Sequence, residues 1–469
     1  MGSVATNRAI ATELARAVPA DRISIEPEDL IVYGYDGTWL ETPPAAVASP
    51  RSTDEVAALV RRCALLGYPL VPRGAGSGLA GESVPGRESI VLNLAAMPRL
   101  LALNVTDRRA SVEAGIINAH LQARAEAVGL FYPPDPASLK QSTIGGNVAT
   151  AASGPRCLKY GGTREYVTGV VAVMADGSVV RLGSCAGQSS ADHALMHLLI
   201  GSEGTLGVIT EIDVRLIERP AAVGTALAVF DRLDDASTAV SRVLGSGVVP
   251  VALEMMDQTT LRCVEQHLRA GLPIDADAVL IVECDGEASD IDAQLEAVVA
   301  ACAGAGARSV EQAREAADRD RIWKARRSTS SSFGRLRPNK LGEDISVPRS
   351  AIPEAVRRIQ AIAADERLVI PQFGHIGDGN LHPNILCDLR DRDEMRRVQS
   401  AAERIFQVAL SLGGTLSGEH GIGLLKRGFL ASALGPSALD AMVRLKRALD
   451  PSGIMNPGKV LPTNQWVGS

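Results

Sequence analysis

Val71-Pro72-Arg73-Gly74-Ala75-Gly76-Ser77-Gly78-Leu79-Ala80-Gly81 runs out of an apolar stretch, Tyr68-Pro69-Leu70-Val71, straight into a glycine-rich loop. Gly76, Gly78 and Gly81 satisfy the letters of GxGxxG. A dinucleotide fold, however, needs that loop to open a long helix, with an acid about 20 residues further on for the ribose. Pro85 and Gly86 follow at once, and no helix runs through them. No acid stands between Glu88 and Asp107. The loop therefore reads as a glycine nest, whose backbone N–H groups point at a pyrophosphate with no helix behind them. A plain turn joining two strands is the alternative.

Upstream, Ser52-Thr53-Asp54-Glu55 is a capping signal ahead of Val56, Leu59, Val60 and Cys63 at helical spacing. Residues 8–18 predict an amphipathic helix and Val47–Pro50 a short strand. Downstream, strands are predicted at Ile90–Leu94, Leu100–Asn104, Ala110–Glu113, Val167–Met174, Val179–Leu182 and Thr205–Leu216. After Glu218-Arg219-Pro220, strands (Val223–Phe230, Val251–Met255, Val279–Glu283) alternate with helices (Leu233–Leu244, Thr259–Ala270, Ile291–Ala303), which predicts a sheet covered by helices on one face. Arg326 to Arg337 reads as a loop, Arg357–Ala364 and Ala401–Leu412 as helices flanking a strand at Val369–Phe373, and Ala438–Leu449 as a terminal helix.

With 469 residues, 46% of them hydrophobic, and 45 glycines, the chain fits a well-cored α+β protein of more than one domain. A charge of −6, 3% aromatics and no Lys/Arg-rich run argue against nucleic acid as a partner. The seven cysteines (63, 157, 185, 263, 284, 302 and 387) stand singly, without the spacing of a zinc ribbon or an iron–sulfur cluster. They read as thiols in a reducing cytoplasm. No apolar stretch approaches the roughly 20 residues that span a bilayer, so a cytoplasmic protein is expected, reaching the inner membrane only through a partner.

Gly374-His375-Ile376-Gly377-Asp378-Gly379-Asn380-Leu381-His382-Pro383-Asn384 and Ser417-Gly418-Glu419-His420-Gly421 hold three of the seven histidines and a carboxylate beside one of them. Imidazole and carboxylate suit a borderline divalent ion, and three protein ligands leave positions open for a substrate. The glycines predict a shaped loop, the usual home of functional side chains. His120, His193, His197 and His267 read as structural.

The glycine loop, together with Tyr132-Pro133-Pro134-Asp135-Pro136-Ala137-Ser138, Thr143-Ile144-Gly145-Gly146-Asn147-Val148-Ala149 and Gly201-Ser202-Glu203-Gly204-Thr205-Leu206-Gly207-Val208-Ile209-Thr210, resembles the FAD-binding segments of the vanillyl-alcohol oxidase/p-cresol methylhydroxylase superfamily. The similarity is greatest to its FAD-linked 2-hydroxy-acid branch, which includes the flavin-bearing chain of glycolate oxidase, D-lactate dehydrogenase and D-2-hydroxyglutarate dehydrogenase. It runs from Tyr35 to Val460 with the motifs in family order.

The resemblance implies a p-cresol-methylhydroxylase-type FAD domain of two α+β subdomains over residues 1–219. A ferredoxin-like α+β cap would follow over 220–415, and a segment over 416–469 would return to the flavin site. Pro72, Arg73, Gly74, Ala75, Gly76, Ser77, Gly78 and Gly81 would cradle the pyrophosphate. Pro134, Asp135, Ser138, Thr143, Gly145, Gly146, Asn147 and Ala149 would line the flavin and its diphosphate, with Glu203, Gly204, Gly207 and Ile209 at the adenosine end. Asn456 would come close to the flavin; a terminal turn is the other reading. Positions 72–81 contain no histidine or cysteine, so non-covalent FAD is expected, although Cys157 lies near the second loop.

His375, His382 and Glu419 match the branch's divalent-metal ligands, zinc first and manganese or iron as alternatives, with His420 as base, Asn384 near the substrate and Arg326 on its carboxylate. A solvated surface arginine is the plain alternative for Arg326. The hydroxyglutarate enzymes carry Lys-x-Asp where this chain has Gly342-Glu343-Asp344, and Lys340 is out of register. That departure favours a small monocarboxylate.

The implied reaction is oxidation of glycolate or D-lactate to the 2-oxo acid. Electrons would pass to an outside acceptor such as an iron–sulfur subunit, a quinone or a cytochrome, and a homodimer is the expected assembly. The rivals are a D-2-hydroxyglutarate dehydrogenase and a non-catalytic flavin-binding subunit of an oxidase complex.

Overall fold

The computed structural model describes residues 4–183 and 190–462; Cys185 lies outside them. The chain divides into two compact units, residues 1–153, 162–219 and 419–469 forming one and residues 154–161 and 220–418 the other. Two details differ from the three contiguous stretches expected. Residues 154–161 belong with the second unit, and residues 416–418 close that unit before the tail joins the first.

Among its described residues the first unit contains two larger sheets and a two-stranded one that pairs Leu130–Phe131 with Ile217–Glu218. One has four strands in the order Ile23–Ser24, Ala46–Ala48, Ile90–Asn93, Leu70–Arg73, the last three parallel. Parallel strands need a crossover, and helix Thr53–Leu66 carries the chain from Ala46–Ala48 across to Leu70–Arg73, with Ile90–Asn93 later filling the place between them. Ser52 Oγ accepts from the Glu55 amide at 3.2 Å, Gly67 ends the helix at φ 72°, and Val56, Leu59, Val60 and Cys63 are buried. The core they enter is completed from far along the chain by Ile454 and Met455. The tail lies against strand Leu70–Arg73: Leu70 N donates to Ile454 O and Asn456 N to Leu70 O, both at 2.7 Å. The second sheet is antiparallel, in the order Leu100–Asn104, Arg109–Glu113, Val208–Arg215, Val167–Val173, Val179–Gly183. The last stretch of the predicted strand Thr205–Leu216 is regular, whereas residues 201–207 form a turn.

The second unit is built on an antiparallel sheet in the order Ser309–Ala313, Ala222–Phe230, Ala278–Gly286, Ala252–Asp257, Gln372–His375, Asn380–Cys387, Asn339–Gly342. Its helices cover both faces, not one. Gly224 faces Ile291 and Leu295 of helix Ile291–Gly304, while Leu227 and Val229, of opposite parity on the same strand, pack with Leu261, Val264, Ile322 and Phe333. Strands buried on both sides need cover on both sides. Part of that second layer comes from helix Ala316–Arg327, whose last two residues open the stretch expected as a loop, and from helix Thr329–Phe333 within that stretch. No helix among the described residues is long and apolar enough to cross a membrane.

Candidate active site: a glycine-walled cavity and a histidine–carboxylate cluster

A cavity in the first unit is lined by Pro72, Arg73, Gly74, Leu94, Ala114, Thr143, Gly145, Gly146, Ala149, Gly204, Gly207 and Ile209. Three loops distant in sequence meet there because their glycines allow it. A Cβ on Gly74 would lie 2.2 Å from Thr143 Oγ1, one on Gly145 2.5 Å from the Ala114 Cβ, and one on Gly204 3.1 Å from the Pro72 ring. Thr143 also caps helix Ile144–Thr150, its Oγ1 accepting from Gly146 N at 3.1 Å. Outside the lining residues, Asn147 Nδ2 and Ser202 Oγ are buried without a protein hydrogen-bond partner. Walls of backbone and small residues fit a long anionic cofactor.

Ten of the residues expected to hold FAD line this cavity, and Leu94 and Ala114 join them unforeseen. The others do not line it, and several of the expected residues have bonds of their own. Arg73 itself is turned partly inward, donating to Tyr35 O and lying beneath Gly76, where a Cβ would be 2.1 Å from its Nη2. The Pro134 carbonyl accepts from Gln122 Nε2 at 3.1 Å. Glu203 turns its carboxylate to the amides of Ile422 and Gly423, and Asn456 Nδ2 donates to Glu82 O and Glu203 O at 2.9 and 2.7 Å. These groups serve the tail's attachment. Ala75, Ser77, Gly78, Gly81, Asp135 and Ser138 are likewise not among the lining residues.

In the second unit His375 ends strand Gln372–His375 and His382 lies within strand Asn380–Cys387. The shaped loop predicted for the whole segment is only the turn between them. Gly374 permits the close pairing, since a Cβ there would be 2.3 Å from Asn380 O, and Gly379 turns the chain at φ 87°. The two imidazoles meet edge to face, centroids 5.1 Å apart. Asp344 Oδ2 accepts from Ser417 Oγ at 2.6 Å and Gly418 N at 2.9 Å, fixing the unit's last residues. Glu419 follows directly. One ligand atom from each of His375, His382 and Glu419 lie within 4.8 Å of one another, two of the residues buried and the third half-buried.

The residue that orders this cluster was not foreseen. Glu254, fully buried, receives His375 Nδ1 on Oε1 at 2.5 Å and Arg326 Nε and Nη2 on Oε2, each at 2.7 Å. Burial pushes its carboxyl up, but His375 and Arg326 outweigh that and hold it below the ordinary carboxylate range. Engagement of Nδ1 by a buried carboxylate is the carboxylate–histidine pairing that orients metal-binding imidazoles. Arg326 is thus no solvated surface residue: one edge belongs to Glu254, and its guanidinium lies 4.5 Å from the Phe373 ring centre. Asn384 is buried, its Nδ2 donating to His382 O at 2.9 Å. Residues 154–161 approach the same turn, with Leu158 against Gly377 and with Lys159 Nζ and Tyr160 Oη bound to the Asp285 carboxylate at 2.5 and 2.7 Å.

Residues 219–460 match the family model described as FAD linked oxidases, C-terminal domain, and residues 44–183 match the FAD binding domain. The chain belongs to the FAD-linked oxidases. Among its relatives, "Glycolate oxidase subunit GlcD" of Bacillus subtilis is 41% identical over 92% of this chain and 92% of its own. The Escherichia coli K12 protein of the same name is 36% identical over 96% and 90%. The "Probable D-lactate dehydrogenase, mitochondrial" of Danio rerio is 33% identical over 90% and 85%. p-Cresol methylhydroxylase with bound substrate superposes with a TM-score of 0.81 at 16% identity, over 99% of this chain and 98% of that one, which establishes the fold. The protein is accordingly an FAD-dependent oxidoreductase of the 2-hydroxy-acid type.

Proposed function

We propose that the protein oxidises a small D-2-hydroxy acid, glycolate or D-lactate, to the 2-oxo acid, with non-covalent FAD and a divalent metal at His375, His382 and Glu419. The observation that carries the reading is the convergence of those three ligand atoms within 4.8 Å, one imidazole being oriented by buried Glu254. Two imidazoles and a carboxylate suit zinc, or manganese or iron, and leave coordination positions for a substrate carboxylate and hydroxyl. No histidine or cysteine lines the cavity, in keeping with an unlinked flavin.

Bound FAD would supply the hydride acceptor, and a divalent ion held by His375, His382 and Glu419 would supply a Lewis acid for the substrate hydroxyl. His420 accepts the hydroxyl proton as general base. Arg326, with Nε and Nη2 engaged by Glu254, presents its remaining Nη1 donors to a substrate carboxylate. Asn384 braces the His382 strand. The electrons then leave to an external acceptor, an iron–sulfur subunit, a quinone or a cytochrome.

A five-carbon diacid is the second reading, and one observation favours it. Lys340 Nζ lies over Phe333, which touches Phe373, which in turn touches His382, and burial lowers that ammonium to about 8. Against it, Asp344 is already engaged with the Ser417–Gly418 turn. Anaerobic flavin bleaching by glycolate, D- and L-lactate and D-2-hydroxyglutarate at matched concentrations separates the readings. Glycolate or D-lactate should bleach the flavin fastest; fastest bleaching by the diacid would transfer the assignment to it.

A further inference from the structure

Glu203 stands in the Gly201–Gly207 turn that contributes to the cofactor cavity, yet its side chain leaves that cavity. Its backbone is left-handed at φ 53°, rare for a non-glycine residue. The buried carboxylate reaches across 219 and 220 positions of chain to accept from Ile422 N at 2.7 Å with Oε1 and from Gly423 N at 2.8 Å with Oε2. It also lies directly beneath Gly421: a Cβ there would sit 2.8 Å from Glu203 Oε1 and 3.2 Å from Glu82 Oε1, and Gly421 itself is at φ 88°. The three residues after His420 are therefore seated on one carboxylate.

The seat is braced from every side. Leu424 N and Leu425 N donate to Ala80 O at 2.8 and 3.1 Å, and Val460 N donates to Gly423 O at 3.0 Å. Glu82 Oε2 accepts from Ala80 N at 3.2 Å, and Asn456 ties the Glu82 and Glu203 carbonyls together. The charges nearby are Glu82, Lys426 and Lys459. Burial raises the Glu203 carboxyl, and the two amides with the lysines bring it back to about 6, so it is ionised at neutral pH. Charge-assisted bonds to amides are about twice as strong as neutral ones, which suits a group that fixes backbone.

We propose that Glu203 is the positioning residue for His420, setting the backbone that aims the imidazole, rather than a ligand of FAD. The inference rests on His420 acting as the base. A base displaced by about 1 Å costs on the order of 10²-fold, so Glu203→Gln, which sets an amide NH₂ against a backbone N–H, should slow flavin reduction roughly 10- to 100-fold. KM, FAD content and metal content should change little. A solvent deuterium isotope effect on reduction should grow, because proton removal becomes the slow step.

The same change made in a His420→Ala background should add almost nothing, since neighbours acting through one group are not additive. Equal slowing in both backgrounds, or a full rate in Glu203→Gln alone, overturns the inference while leaving the base intact. A harmless His420→Ala overturns the base reading, and this inference with it. Glu203→Asp, one methylene shorter with the charge kept, gives the same test if the glutamine variant does not fold.

Discussion

The cavity of the first unit is walled by backbone and by residues with little side chain, whereas the cluster of the second is made of ionisable groups that need one another. In the cavity, Gly74, Gly145 and Gly204 occupy positions where a methyl group would collide with Thr143, Ala114 or Pro72. In the cluster, His375 is defined by Glu254, Glu254 is balanced by Arg326, and the approach to Glu419 is held by Asp344. The first site should fail by sterics and lose FAD. The second should fail by chemistry and keep it.

The sharpest contrast is expected at the base. His420→Ala should slow flavin reduction by about 10² to 10⁴ while FAD and metal, measured by absorbance and elemental analysis, stay bound; metal loss would make His420 a ligand. Glu254→Gln removes the charge that orients His375 and should weaken metal binding about 10- to 100-fold in a chelator titration, again with FAD retained. Gly145→Val places methyls where only 2.5 Å separates a Cβ from that of Ala114. Overpacking of that kind costs about 1–3 kcal/mol, to be read as a roughly tenfold or greater loss of FAD affinity by fluorescence, with the metal unaffected. If Gly145→Val lost metal, or Glu254→Gln lost FAD, the division between the two sites would be wrong.

The smallest effect concerns Glu82. Burial, then repulsion from Glu203, raises its carboxyl to about 8 from an ordinary 4.5. The protonated form thus favours the folded state, a contribution whole below the ordinary value and lost as pH rises towards 8. Glu82→Gln keeps the group neutral throughout, so its thermal midpoint should exceed that of the parent near pH 8 and match it near pH 5. An equal difference at both pH values would show that the charge is not responsible.

The difference between the sites also explains what could be read from the chain. A glycine nest is local: Arg73 to Gly81 announces it in consecutive residues, and Pro85-Gly86 excludes the dinucleotide fold in the same glance. The ligands His375, His382 and Glu419 are nearly as local. Their partners are not. Glu254 is an acid among apolar neighbours, Leu253 and Met255, paired with His375 across 121 positions, and only the antiparallel register of strands Ala252–Asp257 and Gln372–His375 makes them neighbours. Glu203 was legible as part of a motif but not in its direction, because its amide partners are backbone and carry no residue signature. The helices within Ala316–Phe333 were missed because the arginines and serines there mask an apolar face, Ile322, Ala325 and Phe333, that shows only against the sheet.

A metal held by His375, His382 and Glu419 is the assignment on which the chemistry most depends. Its most direct test is stopped-flow flavin reduction by glycolate or D-lactate in protein stripped by chelator with its FAD retained, before and after addition of zinc or manganese. Reduction should fall by orders of magnitude on stripping and return with the ion, and His382→Ala should remain slow with metal added; a stripped, FAD-replete protein that bleaches at the full rate would contradict the assignment.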